Sequence, residues 1–299
     1  MTLSRRAFLV SAAAAVAGAG CGRSGDRSAV PAGAASQGAA MTPSAIRLVT
    51  RGDDSGSCHA ANAAVRDAFQ KGILRNASVM APGPAFDEAA AMLRDCRGLC
   101  IGLHATITDE WHQTRWGPVL GAKQAPTIVM EDGTFFKDTA ELWNHPPGRR
   151  PDNDEIIAEL QAQLRKMRAA RLQVDYVDEH MGFNWFPGLD ERLDAFARAE
   201  GLLRLRKKTT YLPDVKGEFT DPVERFLARL AAAEPGKTYL VVTHPAYDTE
   251  EIRAMCYGDR RPGEIARERD ADRRMYMDPR VAARCRTRGI EPVRWTDLG

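Results

Sequence analysis

Short apolar runs alternate with helical patterns along most of the chain, and this alternation limits the available folds more than any other feature. Segments 46–50, 99–104 and 238–243 are apolar and strand-like, and amphipathic helical spacing follows them further along the chain. Alternating strand and helix units are typical of a parallel sheet. About seven strands within residues 45–299 favour an α/β fold, a closed or nearly closed (β/α) barrel rather than an open doubly wound sheet. The sequence lacks Gly-x-Gly-x-x-Gly after the first strand, which argues against a dinucleotide-binding fold.

The periodicity predicts seven strands and six helices. The predicted strands span residues 46–50, 77–81, 99–104, 174–177, 201–205, 238–243 and 290–295. The predicted helices span residues 62–71, 85–94, 154–171, 188–200, 223–233 and 281–288. Residues near 108–151 interrupt the alternation with Gly, Pro and aromatic residues, which predicts an insertion of loops with a small hairpin around 131–133.

The N-terminal residues do not follow the barrel pattern. Arg5 and Arg6 precede an Ala-rich apolar run at 10–19, and the segment resembles a twin-arginine export signal. The run is too short and too poor in large apolar residues to span a bilayer comfortably. We therefore expect residues 1–29 to be an export signal, with an uncut anchor as the alternative. Residues 30–44, rich in Ala, Gly, Ser and Pro, predict a flexible linker.

Cys21 follows Gly-Ala-Gly and is in position for lipoprotein processing. The usual Leu three residues before such a cysteine is missing, so ordinary signal cleavage stays open. The leader thus predicts export through the twin-arginine route, to the periplasm or to a lipid-anchored place at the cell envelope. The other five cysteines are odd in number and match no zinc-finger spacing. Cys96 and Cys100 either bridge or pack, and packing is favoured.

Charge and composition restrict the partners of the chain. It is 44% hydrophobic and 27% charged, which suits one large globular domain or two small ones. The formal net charge is +2, and Arg5 and Arg6 of the leader supply both positive charges. The body is therefore roughly neutral, which argues against nucleic acid as a partner.

Polar clusters follow four of the apolar runs directly. These clusters are Asp53-Asp54, His104, Asp178-Glu179-His180 and His244-Pro245. In a parallel barrel the carboxyl ends of the strands share one face, where catalytic groups collect. Asp and His side chains from separate strands suit a divalent cation, and three protein ligands leave positions for water and substrate.

Each of these residues also has a structural interpretation. Asp53 and Asp54 would repel each other unless a cation or a proton lies between them, but Asp-Asp-Ser-Gly is also good turn chemistry. His104 suits a hydrogen-bonded histidine at the barrel rim, His180 an ion pair with its acidic neighbours, and His244 a strand cap before Pro245. Their joint occurrence at strand ends favours a metal site.

Six blocks in order resemble the YdjC-like carbohydrate deacetylases, a family that includes chitooligosaccharide deacetylases and hopanoid-associated deacetylase-like proteins. The blocks lie at residues 53–56, 71–80, 102–106, 176–182, 243–248 and 272–291. The similarity runs from about residue 45 to the end. It implies a barrel related to the polysaccharide deacetylases and hydrolysis of an N-acetyl group, a linear amide, from an amino sugar or oligosaccharide.

The same resemblance implies one divalent metal ion, Zn or Mg, and a carbohydrate partner. Carried over residue by residue, it makes Asp54, His104 and His180 the metal ligands. Asp53 would be the catalytic base and His244 the catalytic acid.

Two other functions stay open. A metal-dependent phosphoesterase can use the same barrel and ligand types, although such sites more often hold two metals. A non-catalytic exported sugar-binding protein is the third reading, because Gly52 and Ser55 stand where the family usually has Ala and an aromatic residue. The tryptophans at 111, 116, 143 and 185 are candidates either for stacking on sugar rings or for packing.

Overall fold

Seven strands form one sheet in the computed structural model, which describes residues 45–145, 148–204 and 208–298. The strands are β1 (Ile46–Ser55), β2 (Asn76–Val79), β3 (Cys100–Ala105), β4 (Tyr176–Glu179), β5 (Thr210–Tyr211), β6 (Thr238–Thr243) and β7 (Ile290–Val293). The helices of these ranges are α1 (His59–Lys71), α2 (Phe86–Leu93), α3 (Thr139–Asn144), α4 (Asn153–Ala169), α5 (Leu189–Glu200), α6 (Pro222–Ala231), α7 (Glu250–Ala254), α8 (Glu264–Met277) and α9 (Pro279–Arg288). Every pairing between these strands is parallel.

The long strand β1 organises the sheet. The strand order is β4-β3-β2-β1-β6-β5, and β7 pairs with the first residues of β1. The sheet curls into a half-barrel with helices packed around it. This confirms the predicted parallel α/β barrel of about seven strands. The barrel is half-closed rather than nearly closed, and its opening lies between the end strands β4 and β5. Leu203 makes a single bridge to β4 and Tyr211 pairs with β6, so the chain contacts both edges of the opening.

Several predicted elements differ in extent. The predicted strand 46–50 continues to Ser55, and the predicted strand 201–205 reduces to one bridge at Leu203, with residue 205 outside the described ranges. The sequence patterns missed the short helices α3 and α7, strand β5 and the long helix α8. Helix α8 was not predicted because its sequence is mostly charged and lacks a clear apolar periodicity. Four of its residues are nevertheless buried: Ile265, Ala266, Arg269 and Tyr276.

The two faces of the sheet bury different residues. The helix-covered face contributes most of the hydrophobic core, whereas Val49, Cys100, Tyr176 and Trp295 pack together in a separate, smaller cluster. Gly102 of β3 makes this inner packing possible, because a Cβ there would lie 2.2 Å from the Tyr176 ring. Tyr176 Oη in turn lies 2.9 Å from Ser78 Oγ of β2.

The segment between β3 and α4 contains loops, one 3-10 turn and α3. Val129 and Phe135 form an antiparallel bridge around Asp132 and Gly133, and Thr108 bridges Phe136. Trp111, Trp116 and the two phenylalanines are buried. These side chains belong to the same hydrophobic core as the half-barrel, so the segment packs directly against it.

The five cysteines of the described residues are all free, so Cys96 and Cys100 pack rather than bridge, as predicted. Among the helices of the described residues, none is long and apolar enough to cross a membrane. The predicted export signal at 1–29, the linker at 30–44 and Cys21 lie outside the described residues.

Candidate metal centre

The Asp pair lies in a bulge at the end of β1. The register between β1 and β2 shifts between Gly52 and Ser55, and Asp54 has a φ of 65°, in the left-handed region. Such a bulge changes the direction in which side chains leave a strand. Asp53 and Asp54 are 2% and 1% exposed, so the alternative of a solvated turn is wrong.

The structure brings Asp54, His104 and His180 together. Asp54 Oδ1 lies 3.4 Å from His104 Nε2 and 3.5 Å from His180 Nδ1. The two imidazole nitrogens lie 3.3 Å apart. The three residues come from β1, β3 and the residue after β4, and all are buried.

These three atoms fit one divalent cation. Atoms 3.3–3.5 Å apart share a point about 2 Å from each, which is the usual length of a bond from protein nitrogen or oxygen to zinc. Asp54 Oδ1 is also buried with no hydrogen-bond partner among the described residues. A buried carboxylate oxygen in this condition is costly unless a cation compensates it.

Two further carboxylates lie beside the outer nitrogens of the histidines. His104 Nδ1 lies 3.3 Å from Asp178 Oδ1, and His180 Nε2 lies 2.9 Å from Glu110 Oε2. Histidines that bind metal almost always have the other ring nitrogen on a carboxylate, a carbonyl or water, which fixes the ring and its tautomer. His104 Nε2 and His180 Nδ1 are therefore the ring nitrogens that face Asp54 and can bind the cation.

Glu110 was not predicted, because it lies in the loop after β3 rather than at a strand end. We expect Glu110→Gln to weaken zinc affinity roughly 10- to 100-fold, because the His180 ring loses its anionic partner. Competition with a chromophoric chelator measures this affinity. Glu131→Gln, an exposed change in the hairpin, is the matched control, and equal affinities in both variants would contradict the role given to Glu110.

Each of the adjacent carboxylates pairs with a different arginine, which offsets their mutual repulsion. Arg51 Nε and Nη2 each lie 2.7 Å from an oxygen of Asp53, whereas Arg269 Nη1 of α8 lies 2.8 Å from Asp54 Oδ2. Burial alone would raise the pKa of Asp54, but Arg269 and the nearby histidines hold it well below its usual value. Asp54 is therefore ionised. Because Arg269 pairs with Oδ2, the other carboxylate oxygen, Oδ1, is available to bind a cation.

The two histidines are basic for buried imidazoles. Burial disfavours the charged ring of His180, but Glu110 and Asp54 outweigh burial and raise its pKa to about 9. Burial likewise opposes the charged form of His104, and Asp178, Asp53 and Asp54 raise its pKa well above the usual value. Metal binds the neutral ring, so protons and metal compete here and metal affinity rises with pH.

His244 lies at the same edge of the sheet. It follows Thr243 of β6, which pairs with Gly52 of β1, and its side chain is exposed. The His244 backbone N–H donates to Asp272 Oδ2 over 2.9 Å, and its charge contributes to the low pKa of Asp54. All five predicted site residues are therefore at the carboxyl ends of β1, β3, β4 and β6.

A second group of potential ligands, Asp53, His104 and Asp178, lies beside the first. Arg51 already bonds to both carboxylates of this group, with Nη1 2.8 Å from Asp178 Oδ2. A guanidinium therefore provides the positive charge that a second metal ion would otherwise supply.

A parallel half-barrel with a buried Asp-His-His cluster at its strand ends has the architecture of a metal-dependent hydrolase. The family model described as YdjC-like protein matches residues 47–287. The chain belongs to the YdjC-like family, which confirms the resemblance drawn from the sequence blocks.

Curated relatives carry deacetylase names. The chain is 26% identical over 261 residues to a carbohydrate deacetylase from Geobacillus stearothermophilus, covering 84% of this chain and 97% of the relative. It is 32% identical over 163 residues to a chitooligosaccharide deacetylase from Serratia marcescens, covering 54% of this chain and 60% of the relative. The predicted enzyme class agrees with both names.

A solved structure from Enterococcus faecalis shares the fold. That protein is described as a candidate cellobiose-phosphate cleavage protein, and it superposes with a TM-score of 0.67 at 19% sequence identity. The match covers 86% of this chain and 100% of that one. At this identity, the likeness supports the half-barrel fold alone.

Proposed function

We propose that the protein is a metal-dependent hydrolase that removes N-acetyl groups from an amino sugar or oligosaccharide. The observation that carries this proposal is the buried cluster in which Asp54, His104 and His180 place three donor atoms within 3.5 Å of one another. Asp53 stands next to the cluster, and the deacetylase names of the curated relatives support the reaction class.

Asp54, His104 and His180 would hold one divalent ion, which supplies a Lewis acid for the acetamide carbonyl and for water. Asp53 accepts the proton of the attacking water. His244, exposed at the end of β6, donates a proton to the leaving amine of the sugar. Two imidazoles and one carboxylate favour zinc over magnesium, because magnesium prefers an all-oxygen set of ligands.

Arg51 argues against the phosphoesterase alternative. Two-metal phosphoesterases use ions about 3.5–4 Å apart that clamp the attacking and leaving oxygens. In this chain Arg51 neutralises Asp53 and Asp178, the carboxylates beside the Asp54-His104-His180 cluster. One cation site is therefore left, at that cluster. Assays with N-acetylglucosamine oligomers and with p-nitrophenyl phosphate separate the two functions, and release of phosphate without acetate would refute the deacetylase.

A sugar-binding protein without turnover would not need the intact cluster. Removal of the metal with a chelator distinguishes such a protein from a deacetylase. A sugar-binding protein binds N-acetylglucosamine oligomers equally with and without metal and releases no acetate. We expect acetate release that stops on chelation and returns with added zinc.

Trp185 is the candidate platform for a sugar ring. Trp111 and Trp116 are buried, whereas Trp185 is 50% exposed and lies five residues after His180. Its ring is held edge-on by Trp143 at 5.5 Å and Phe186 at 4.6 Å between centroids. A fixed, exposed indole loses little entropy when an apolar ring face packs on it.

We expect Trp185→Ala to raise KM for N-acetylglucosamine oligomers roughly 3- to 10-fold with little change in kcat, because one aromatic contact is lost. Trp185→Phe keeps a flat ring and serves as the control, with a smaller rise. Steady-state acetate release measures both constants. An unchanged KM in the alanine variant would assign Trp185 to packing alone.

Export through the twin-arginine route, with Cys21 as a lipid anchor at the envelope, is proposed from residues 1–44 alone. Cell fractionation tests this part. Recovery of mature protein solely from the cytoplasm would contradict export.

A further inference from the structure

The Arg51 side chain spans two carboxylates that serve different parts of the site. Nε and Nη2 each lie 2.7 Å from an oxygen of Asp53, and Nη1 lies 2.8 Å from Asp178 Oδ2. The side chains of Arg51 and Asp53 are 14% and 3% exposed. Planar two-point pairing of this kind fixes orientation as well as charge.

The second carboxylate connects Arg51 to a proposed metal ligand. Asp178 Oδ1 lies 3.3 Å from His104 Nδ1, and Ser78 Oγ donates to Asp178 Oδ2 over 3.2 Å. Arg51 therefore touches the proposed base directly and, through Asp178, the ring that faces Asp54. One guanidinium sets the relative position of the base and a ligand.

Strand geometry explains why this position suits an arginine. Arg51 and Asp53 are two residues apart in β1, so their side chains leave the same face of the strand. The preceding residue on this face, Val49, belongs to the inner cluster with Tyr176 and Trp295. Arg51 therefore follows this cluster on the same face of β1, and its guanidinium contacts the two carboxylates.

Arg51 also offsets the repulsion between neighbouring carboxylates. Asp53, Asp54 and Asp178 are three buried or half-buried carboxylates in one small region. Arg269 contacts Asp54 but not, within the described contacts, the other two. Without Arg51, Asp53 would turn away from Asp178, because buried like charges are strongly unfavourable, whereas Asp178 would keep its contacts with Ser78 and His104.

We propose that Arg51 is a positioning residue of the deacetylation reaction: it holds Asp53 in line for the attacking water and steadies Asp178 behind His104. This role rests on the proposed function. Arg51 touches neither the reacting atoms nor the three proposed ligands, so its loss should lower turnover without removing the metal.

A cavity beside Arg51 makes this proposal testable by chemical rescue. The cavity has a volume of about 200 Å³ and is lined by Arg51, Asp178, Leu240 and Tyr211, among others. Tyr211 is 72% exposed, so the cavity reaches solvent. Truncation of Arg51 would extend it to Asp53, so that a free guanidinium ion can take the lost position between Asp53 and Asp178.

We expect Arg51→Ala to lower kcat about 100-fold, the usual cost of a misplaced catalytic group, with metal content unchanged and KM little changed. Guanidinium chloride, at concentrations well below those that unfold the protein, should restore at least a tenth of the lost kcat. Urea, which has the same shape without the charge, should restore none. Acetate release and metal analysis give these readouts.

Two variants complete the experiment. Arg51→Lys guards against misfolding of the alanine variant, because it keeps the charge and loses the two-point pairing, and its kcat should fall with metal retained. Tyr211→Ala alters the cavity mouth alone and should keep the wild-type kcat with no response to guanidinium. Wild-type kcat in Arg51→Lys, or equal rescue by urea and guanidinium, would overturn the proposal. Failure of the wild-type protein to release acetate would instead refute the proposed function.

Discussion

His180→Ala is expected to lose its metal and almost all acetate release. A four-ligand zinc site gains about 10–16 kcal/mol on binding, so one ligand contributes about 3 kcal/mol and its loss weakens affinity at least roughly 100-fold. Turnover should fall about 1,000-fold or more, because the Lewis acid leaves with the ligand. Metal analysis after dialysis and an acetate assay measure the two effects.

The matched control is His145→Ala. His145 is exposed in the segment after β3 and packs against Phe136, with ring centroids 5.5 Å apart. We expect this variant to keep both metal and activity. Full metal occupancy in His180→Ala would contradict the assignment of His180 as a ligand, and His104→Ala should behave like His180→Ala.

Asp53→Asn should separate metal binding from turnover. The change keeps the size of the side chain and removes the negative charge that accepts a proton from water. Loss of a general base usually costs 10²- to 10⁴-fold, so we expect kcat to fall within that range while one equivalent of metal is retained. Metal analysis and the acetate assay on the same preparation give both numbers.

Asp95→Asn, an exposed change after α2, is the control for handling and stability. Wild-type kcat in Asp53→Asn would show that another group takes the proton. Loss of metal in that variant would contradict the assignment of Asp53 as a base that does not bind the ion.

The strand ends were predictable because parallel strands share one direction. Polar residues that follow separate apolar runs must meet at one edge, and Asp54, His104 and His180 do so within 3.5 Å. The pattern needs only the order of strands along the chain. It does not need the angle or closure of the barrel, and the half-open form was accordingly missed.

The supporting residues were not predictable by the same argument. Arg269 and Asp272 lie on α8, and Arg269 is buried against Asp54 and the Trp111 ring. A charged residue on the inward face breaks the apolar periodicity that reveals a helix. Glu110 comes from a loop, whose path has no period.

Arg51 shows the same effect inside a strand. The apolar run stops at Thr50, so the predicted strand ended there, but β1 continues through Arg51 and both aspartates. These groups satisfy one another by ion pairing, which allows charged residues in a buried strand. A functional site is where such departures from the hydrophobic pattern are expected.

A zinc titration of the chelator-stripped protein, with acetate release from N-acetylglucosamine oligomers as the readout, tests the single-ion site most directly. We expect no acetate without metal and full activity at one equivalent of zinc per chain. Acetate release by the stripped protein, or a rise in activity that continues to two equivalents, would contradict a single ion held by Asp54, His104 and His180.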